Sequence, residues 1–114
     1  MNTEIDKAIN DIQDYVKLLY LDYSKGMSKI NEIVGIVQTC IGNFVSKIET
    51  YNKFGENIAV NIVLDQIKRL SDGISFGDQV QIADILQYEI IESLKIYGEL
   101  VEKYGHIIII SIRD

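Results

Sequence analysis

MSKINEIVGIVQTCIGNFVSKIETY, residues 27–51, decides the fold. Its large apolar side chains fall at Met27, Ile30, Val34, Val37, Ile41, Phe44, Ile48 and Tyr51, in alternating steps of three and four. That spacing lays one apolar stripe along an α-helix and requires another helix to cover it. Upstream, Ile5, Ile9, Ile12, Val16, Leu19 and Tyr23 repeat the pattern, with Leu18 and Leu21 beside the stripe. Two consecutive amphipathic helices of this kind predict a bundle.

Downstream, Val60, Val63, Ile67 and Leu70 mark a third helix over about 57–72, which Gly73 is expected to stop. Asp78 is placed to cap a fourth, with Gln81 three residues on completing a capping box. That helix runs to about residue 104. On a wheel of about 100° per residue, Ala83, Leu86, Ile90, Ile91, Leu94, Tyr97, Leu100, Val101 and Tyr104 share one wide apolar arc, with Ile85 and Ile96 outside it. An arc that wide places the helix centrally or at an oligomer interface.

Thr3 is expected to cap the first helix, which extends to about Lys25. At Gly26 two readings stand. It is the left-handed residue that ends the first helix before a hairpin, or it lies within one long helix. Residues 51–55 read as a connector. Gly35, Thr39, Gly42 and Ser46 form a small-residue face on the second helix, favouring close approach of a neighbour. After Gly105 the character changes: Ile107-Ile108-Ile109-Ile110-Ser111-Ile112 is β-branched and unpatterned, which favours an extended segment. The prediction is therefore one all-α domain over 1–114, an antiparallel bundle of about four helices (3–25, 28–52, 57–72 and 79–104). A short extended tail follows at 106–114.

Composition narrows the function classes. The chain carries 17 acidic and 11 basic residues, for a net charge of −6. Lys and Arg form no run of three, which disfavours a phosphate-tracking surface and hence nucleic acid as partner. The start of the chain, Asn2-Thr3-Glu4-Ile5-Asp6, lacks the apolar core of a secretory signal. The uncharged run Ile33–Ser46 falls short of the roughly 20 residues a membrane span needs. A cytoplasmic protein without membrane contact is expected. Isoleucine is abundant, 22 of 114 residues, a bias that an AT-rich coding sequence also produces.

Few residues nominate chemistry. Glu89, Glu92, Glu99 and Glu102 form two Glu-x-x-Glu pairs, the donor type Mg²⁺ prefers. They share an arc with Lys95 and Lys103 at surface-pair spacings, so a solvated face is the favoured reading. The pair Asp11 and Asp14 and the cluster of Asp65, Lys68 and Arg69 are read the same way. Cys40 is expected to be a buried small apolar residue. His106, the lone histidine, has no triad or metal partner at a usable spacing. No phosphate loop or dinucleotide fingerprint is present. The seven tyrosines fit core ends and interfaces equally well.

Gly77-Asp78, followed by Ala83-Asp84-x-Leu86-x-Tyr88-Glu89-Ile90, resembles a segment found in a group of small uncharacterised helical proteins of Gram-positive bacteria. The resemblance covers about fourteen residues and implies no activity.

These readings point to a non-enzymatic interaction protein that self-associates or binds an amphipathic partner helix, with no cofactor. Small acidic secretion and flagellar chaperones share its size and charge as a class. The alternative is a helical metal-dependent nucleotide hydrolase using the helix 4 glutamates. Ile41, Phe44, Ile91, Tyr97, Ile108 and Ile110 are the candidate interface residues. The wide arc of the last helix, the extra leucines and the isoleucine tail together lead us to expect an oligomer, most simply a homodimer.

Overall fold

In a computed structural model, residues 3–113 are described, with side chains over 3–105. Four long helical rods run up, down, up and down: α1 (Thr3–Leu21), α3 (Ile30–Lys53), α4 (Val60–Phe76), and a final rod. The last is continuous through α5 (Gln79–Asp84), a π-helical turn (Ile85–Ile90) and α6 (Ile91–Arg113). A short helix, α2 (Tyr23–Ser28), turns α1 into α3. The described residues contain no strand, and the all-α bundle stands.

Most of both stripes faces the core, but the α3 stripe passes through Ile33 rather than Val34, and Tyr23, expected on the first stripe, is 41% exposed. On α3, Ile33, Val37, Ile41, Phe44, Ile48 and Tyr51 are buried, while on α1 Ile5, Ala8, Ile12, Tyr15, Val16 and Leu19 are. The final rod packs against α1, α3 and α4. Its wide apolar arc is thus covered within the chain, which removes one of the three reasons to expect an oligomer.

The π turn explains how so wide an arc is buried. Ile91 donates its backbone N–H to the carbonyl of Leu86, five residues back rather than four. One added residue in a turn sets every later side chain back by about 100° relative to those before. Ile85, placed outside the arc by an uninterrupted wheel, therefore shares the core with Leu86, Ile90 and Leu94 and is 3% exposed. Where α4 meets α6, Ser93 donates to Gln66 Oε1 at 2.8 Å. The two are the buried polar residues of this core, and their bond satisfies them.

Several boundaries move, each for a local reason. α1 ends at Leu21 because Asp22 caps a new helix, its carboxylate accepting from the Lys25 N–H at 3.1 Å. Gly26 is neither left-handed nor inside one long helix; it lies in α2, right-handed and buried. A Cβ there would sit 2.9 Å from Leu19 Cδ1 and 3.0 Å from Leu19 Cα, so glycine is required for close approach. Tyr15 seals the contact by donating to the Gly26 carbonyl at 2.8 Å.

Gly73 does not stop α4. It lies within the helix, where a Cβ would meet Gln81 Cγ at 3.2 Å and Ile82 Cγ1 at 3.3 Å. The stop is Gly77, with φ 63. Gly77 donates to Ile74 O at 3.1 Å and Asp78 to Gly73 O at 2.9 Å, the paired bonds of a Schellman ending. Asp78 then caps the next helix, accepting from Gln81 N–H at 3.0 Å. Because the Asp78 N–H is already spent, the Gln81 side chain completes no capping box and donates to Arg69 O instead, at 2.8 Å.

α4 begins at Val60 rather than 57. Residues 54–59 form a loop that the Asn52 amide brackets, donating to Ile58 O at 3.0 Å and accepting from Ile58 N–H at 2.9 Å. The extended reading of 106–114 is also corrected, since α6 continues to Arg113. Extending an existing helix avoids the nucleation cost, and the β-branched penalty is under about 0.7 kcal/mol per residue. The side chains from His106 onward, Ile108 and Ile110 among them, lie outside the described residues.

Candidate functional site

The sequence-predicted glutamates do not converge. Glu89 accepts a two-pronged contact from Arg69, at 2.7 Å from Nη1 and 2.5 Å from Nη2. The same guanidinium reaches Asp65 through Nε at 2.7 Å. Glu92 pairs with Lys95 at 3.3 Å. Glu92, Glu99 and Glu102 are exposed, and Asp11 pairs with Lys7 at 2.8 Å. Among the described residues no three His, Cys, Asp or Glu side chains group as metal ligands. Cys40 is half-buried, and burial pushes its thiol up, away from the thiolate a nucleophile needs.

The Arg69–Glu89 contact links α4 to the π turn. The hydrogen bonds from Arg69 hold the Glu89 carboxyl below its ordinary 4.5. Glu56, in the α3–α4 loop, is held low first by the Tyr104 hydroxyl and then by Lys103, 2.9 Å away. Both are depressed carboxylates. Their contribution is present above the unfolded value, about 4.3, and is lost as pH falls through the folded values. Thermal melts should therefore show the melting temperature dropping below about pH 4.5. Glu89→Gln should have a lower melting temperature at neutral pH and a shallower acid drop; an unchanged acid slope would show that the pair contributes nothing.

The tyrosines divide by place. Tyr15, Tyr51, Tyr97 and Tyr104 are buried. Tyr97 stacks on Phe44 with ring centroids 5.1 Å apart, and Lys47 donates to its hydroxyl at 3.0 Å. Burial pushes the Tyr51 hydroxyl up to about 12. Tyr20, Tyr23 and Tyr88 are exposed and belong to one end of the bundle.

That end is where the α1–α2 turn meets the α4–α5 turn. Tyr23 donates to Gly77 O at 2.9 Å, and the Gln79 side chain donates to Leu19 O at 2.7 Å. Around these clips stand Tyr20, Leu21, Tyr23, Phe76, Val80 and Tyr88, six of the ten exposed large apolar side chains among the described residues. Leu21 is 85% and Phe76 82% exposed. Between the last turns of α1 and the π turn lies an open groove of about 850 Å³. Val16 and Ile91 contribute to its floor, Tyr20, Leu21 and Tyr88 to its walls, and Lys17, Glu92 and Lys95 to its rim.

Of the candidate interface residues, Ile41, Phe44, Ile91 and Tyr97 lie in this chain's own core, each no more than 5% exposed. Of these four, Ile91 also lines the groove. The small-residue face of α3 does not pack as expected: Gly35, Thr39, Gly42 and Ser46 are all exposed, and no atom lies within 4 Å of a Cβ built on Gly35 or Gly42.

Sequence reasoning missed the groove because its walls come from residues about seventy positions apart. The signals it could have used are Asp22, a cap residue directly after Leu21, and the off-stripe Tyr20 and Leu21. The segment 77–90 spans the Schellman ending, the Asp78 cap and the π turn. No family model, curated protein or solved structure matches the chain. Among the described residues no helix is long and apolar enough to cross a membrane.

Proposed function

We propose that this chain is a non-enzymatic, cytoplasmic interaction protein that meets another helix at the end bearing Tyr20, Leu21 and Tyr88. The observation that carries the reading is the gathering of six exposed large apolar side chains at one end of the bundle, three of which, Tyr20, Leu21 and Tyr88, line its groove. Contiguous apolar surface rimmed by polar groups marks interaction sites in folded proteins. The size and the charge of −6 match those of secretion and flagellar chaperones as a class, which is an analogy of form.

The occupant is a second copy or a helix of another protein. Light scattering across the micromolar range separates them. A two-chain mass that falls to one chain in Leu21→Glu makes this end a homodimer contact; a mass near 13.0 kDa throughout leaves a different protein as partner. Adding Mg²⁺ or Mn²⁺ tests the whole reading. An interaction protein should melt at the same temperature, whereas a rise by mass action would favour a metal-dependent hydrolase using Glu89, Glu92, Glu99 and Glu102 instead.

A further inference from the structure

Resting on that reading, we infer that the α1–α6 groove receives a short amphipathic helix of another protein whose apolar stripe is flanked by acidic residues. Length and direction suit a helix. The wall on α1 runs from Gln13 to Leu21 and the wall on the final rod from Gln87 to Lys95, each about 12 Å long. Two antiparallel helices side by side leave a trough of that kind, and about two turns of a third helix fill it. The floor and walls are apolar, so leucine or aromatic anchors at i, i+3 or i+4, and i+7 would supply the contact.

Charge selects the flanks. The chain as a whole is −6, yet the groove is lined by two lysines and one glutamate. Lys17 stands on the α1 wall, exposed and with no ion-pair partner among the described residues. Lys95 stands on the opposite wall, 52% exposed and shared with Glu92. A helix lying between them presents both flanks to a lysine. Acidic flanks are attracted, whereas a second copy brings another −6 into contact and is repelled.

Two fluorescein-labelled 15-residue peptides test this: one helix with a leucine stripe and glutamate flanks, and an otherwise identical one with lysine flanks. Fluorescence anisotropy at low salt is expected to show the glutamate peptide binding about three- to tenfold tighter. Its advantage should shrink in high salt. Leu21→Ser and Tyr88→Ser, both at exposed positions that leave the fold intact, should weaken it about tenfold or more. The double change Lys17→Glu with Lys95→Glu should reverse the preference. Equal or tighter binding of the lysine peptide, still lost in Leu21→Ser, overturns the acidic-partner inference and leaves the interaction surface standing. A homodimer abolished by Leu21→Ser likewise overturns the inference, since the groove is then filled by a second copy. No binding of either peptide to a monomeric protein overturns both.

Discussion

Phe44→Ala is expected to lose about 3–5 kcal/mol of stability. Phe44 is 1% exposed and lies on the stripe that fixes α3. Its ring stacks on Tyr97 with planes 15° apart, joining the second and fourth rods. Truncation removes the apolar area, leaves a cavity that Ile41 and Ile48 cannot fill by small shifts, and strips Tyr97 of a stacking partner worth about 0.5–1.5 kcal/mol. For a domain of this size the loss is a large share of a total of about 5–15 kcal/mol. Urea unfolding of Phe44→Ala and Phe76→Ala checks the register. Phe76 is 82% exposed, so its truncation should change stability by less than about 0.5 kcal/mol. Comparable losses at the two sites would show that the core is wrongly placed.

The second expected result is a reversal of sign between two glycines. Gly42→Ala should stabilise by about 0.5–1 kcal/mol, because Gly42 is mid-helix, exposed, and has no atom within 4 Å of a built Cβ. Gly26→Ala should cost about 1–3 kcal/mol. There the new methyl meets not only the mobile Leu19 Cδ1 at 2.9 Å but the Leu19 backbone Cα at 3.0 Å. α2 must then retreat from α1, and the buried Tyr15–Gly26 hydrogen bond stretches with it. Paired thermal melts decide. A Gly26→Ala variant as stable as the parent would mean that α2 does not lie against α1 as described.

How much of this was legible in the chain depends on the range of the forces involved. The stripes on residues 5–19 and 27–51 could be read because helix periodicity is a local property: side chains three and four apart share a face whatever the fold. Asp78 was legible as a cap for the same reason, since its carboxylate reaches an amide only three residues away. Asp22 was equally legible and was overlooked beside Gly26.

Glycines were not legible. Gly26, Gly42, Gly73 and Gly77 look alike in sequence, yet one lies against Leu19, one is in open solvent, one touches α5, and one adopts φ 63. The use of each depends on what lies across from it, and that is set by the packing of distant segments. The same holds for Glu89. On its own helix it is one of a row of solvated acids, and it becomes half of a two-pronged contact only when α4 brings Arg69 across twenty residues of chain.

The sequence by itself therefore determined the secondary structure class, most of the two long stripes and the net charge of −6, all of which follow from local periodicity and composition. Tertiary structure alone decided the phase of the final rod, the fate of the glutamates and the position of the groove. A π turn rotates Ile85 into the core because three neighbouring rods demand an apolar arc wider than an uninterrupted α-helix supplies. Tyr20 and Leu21 meet Tyr88 across one groove only after α1 and the final rod pack side by side, and no local pattern encodes that meeting.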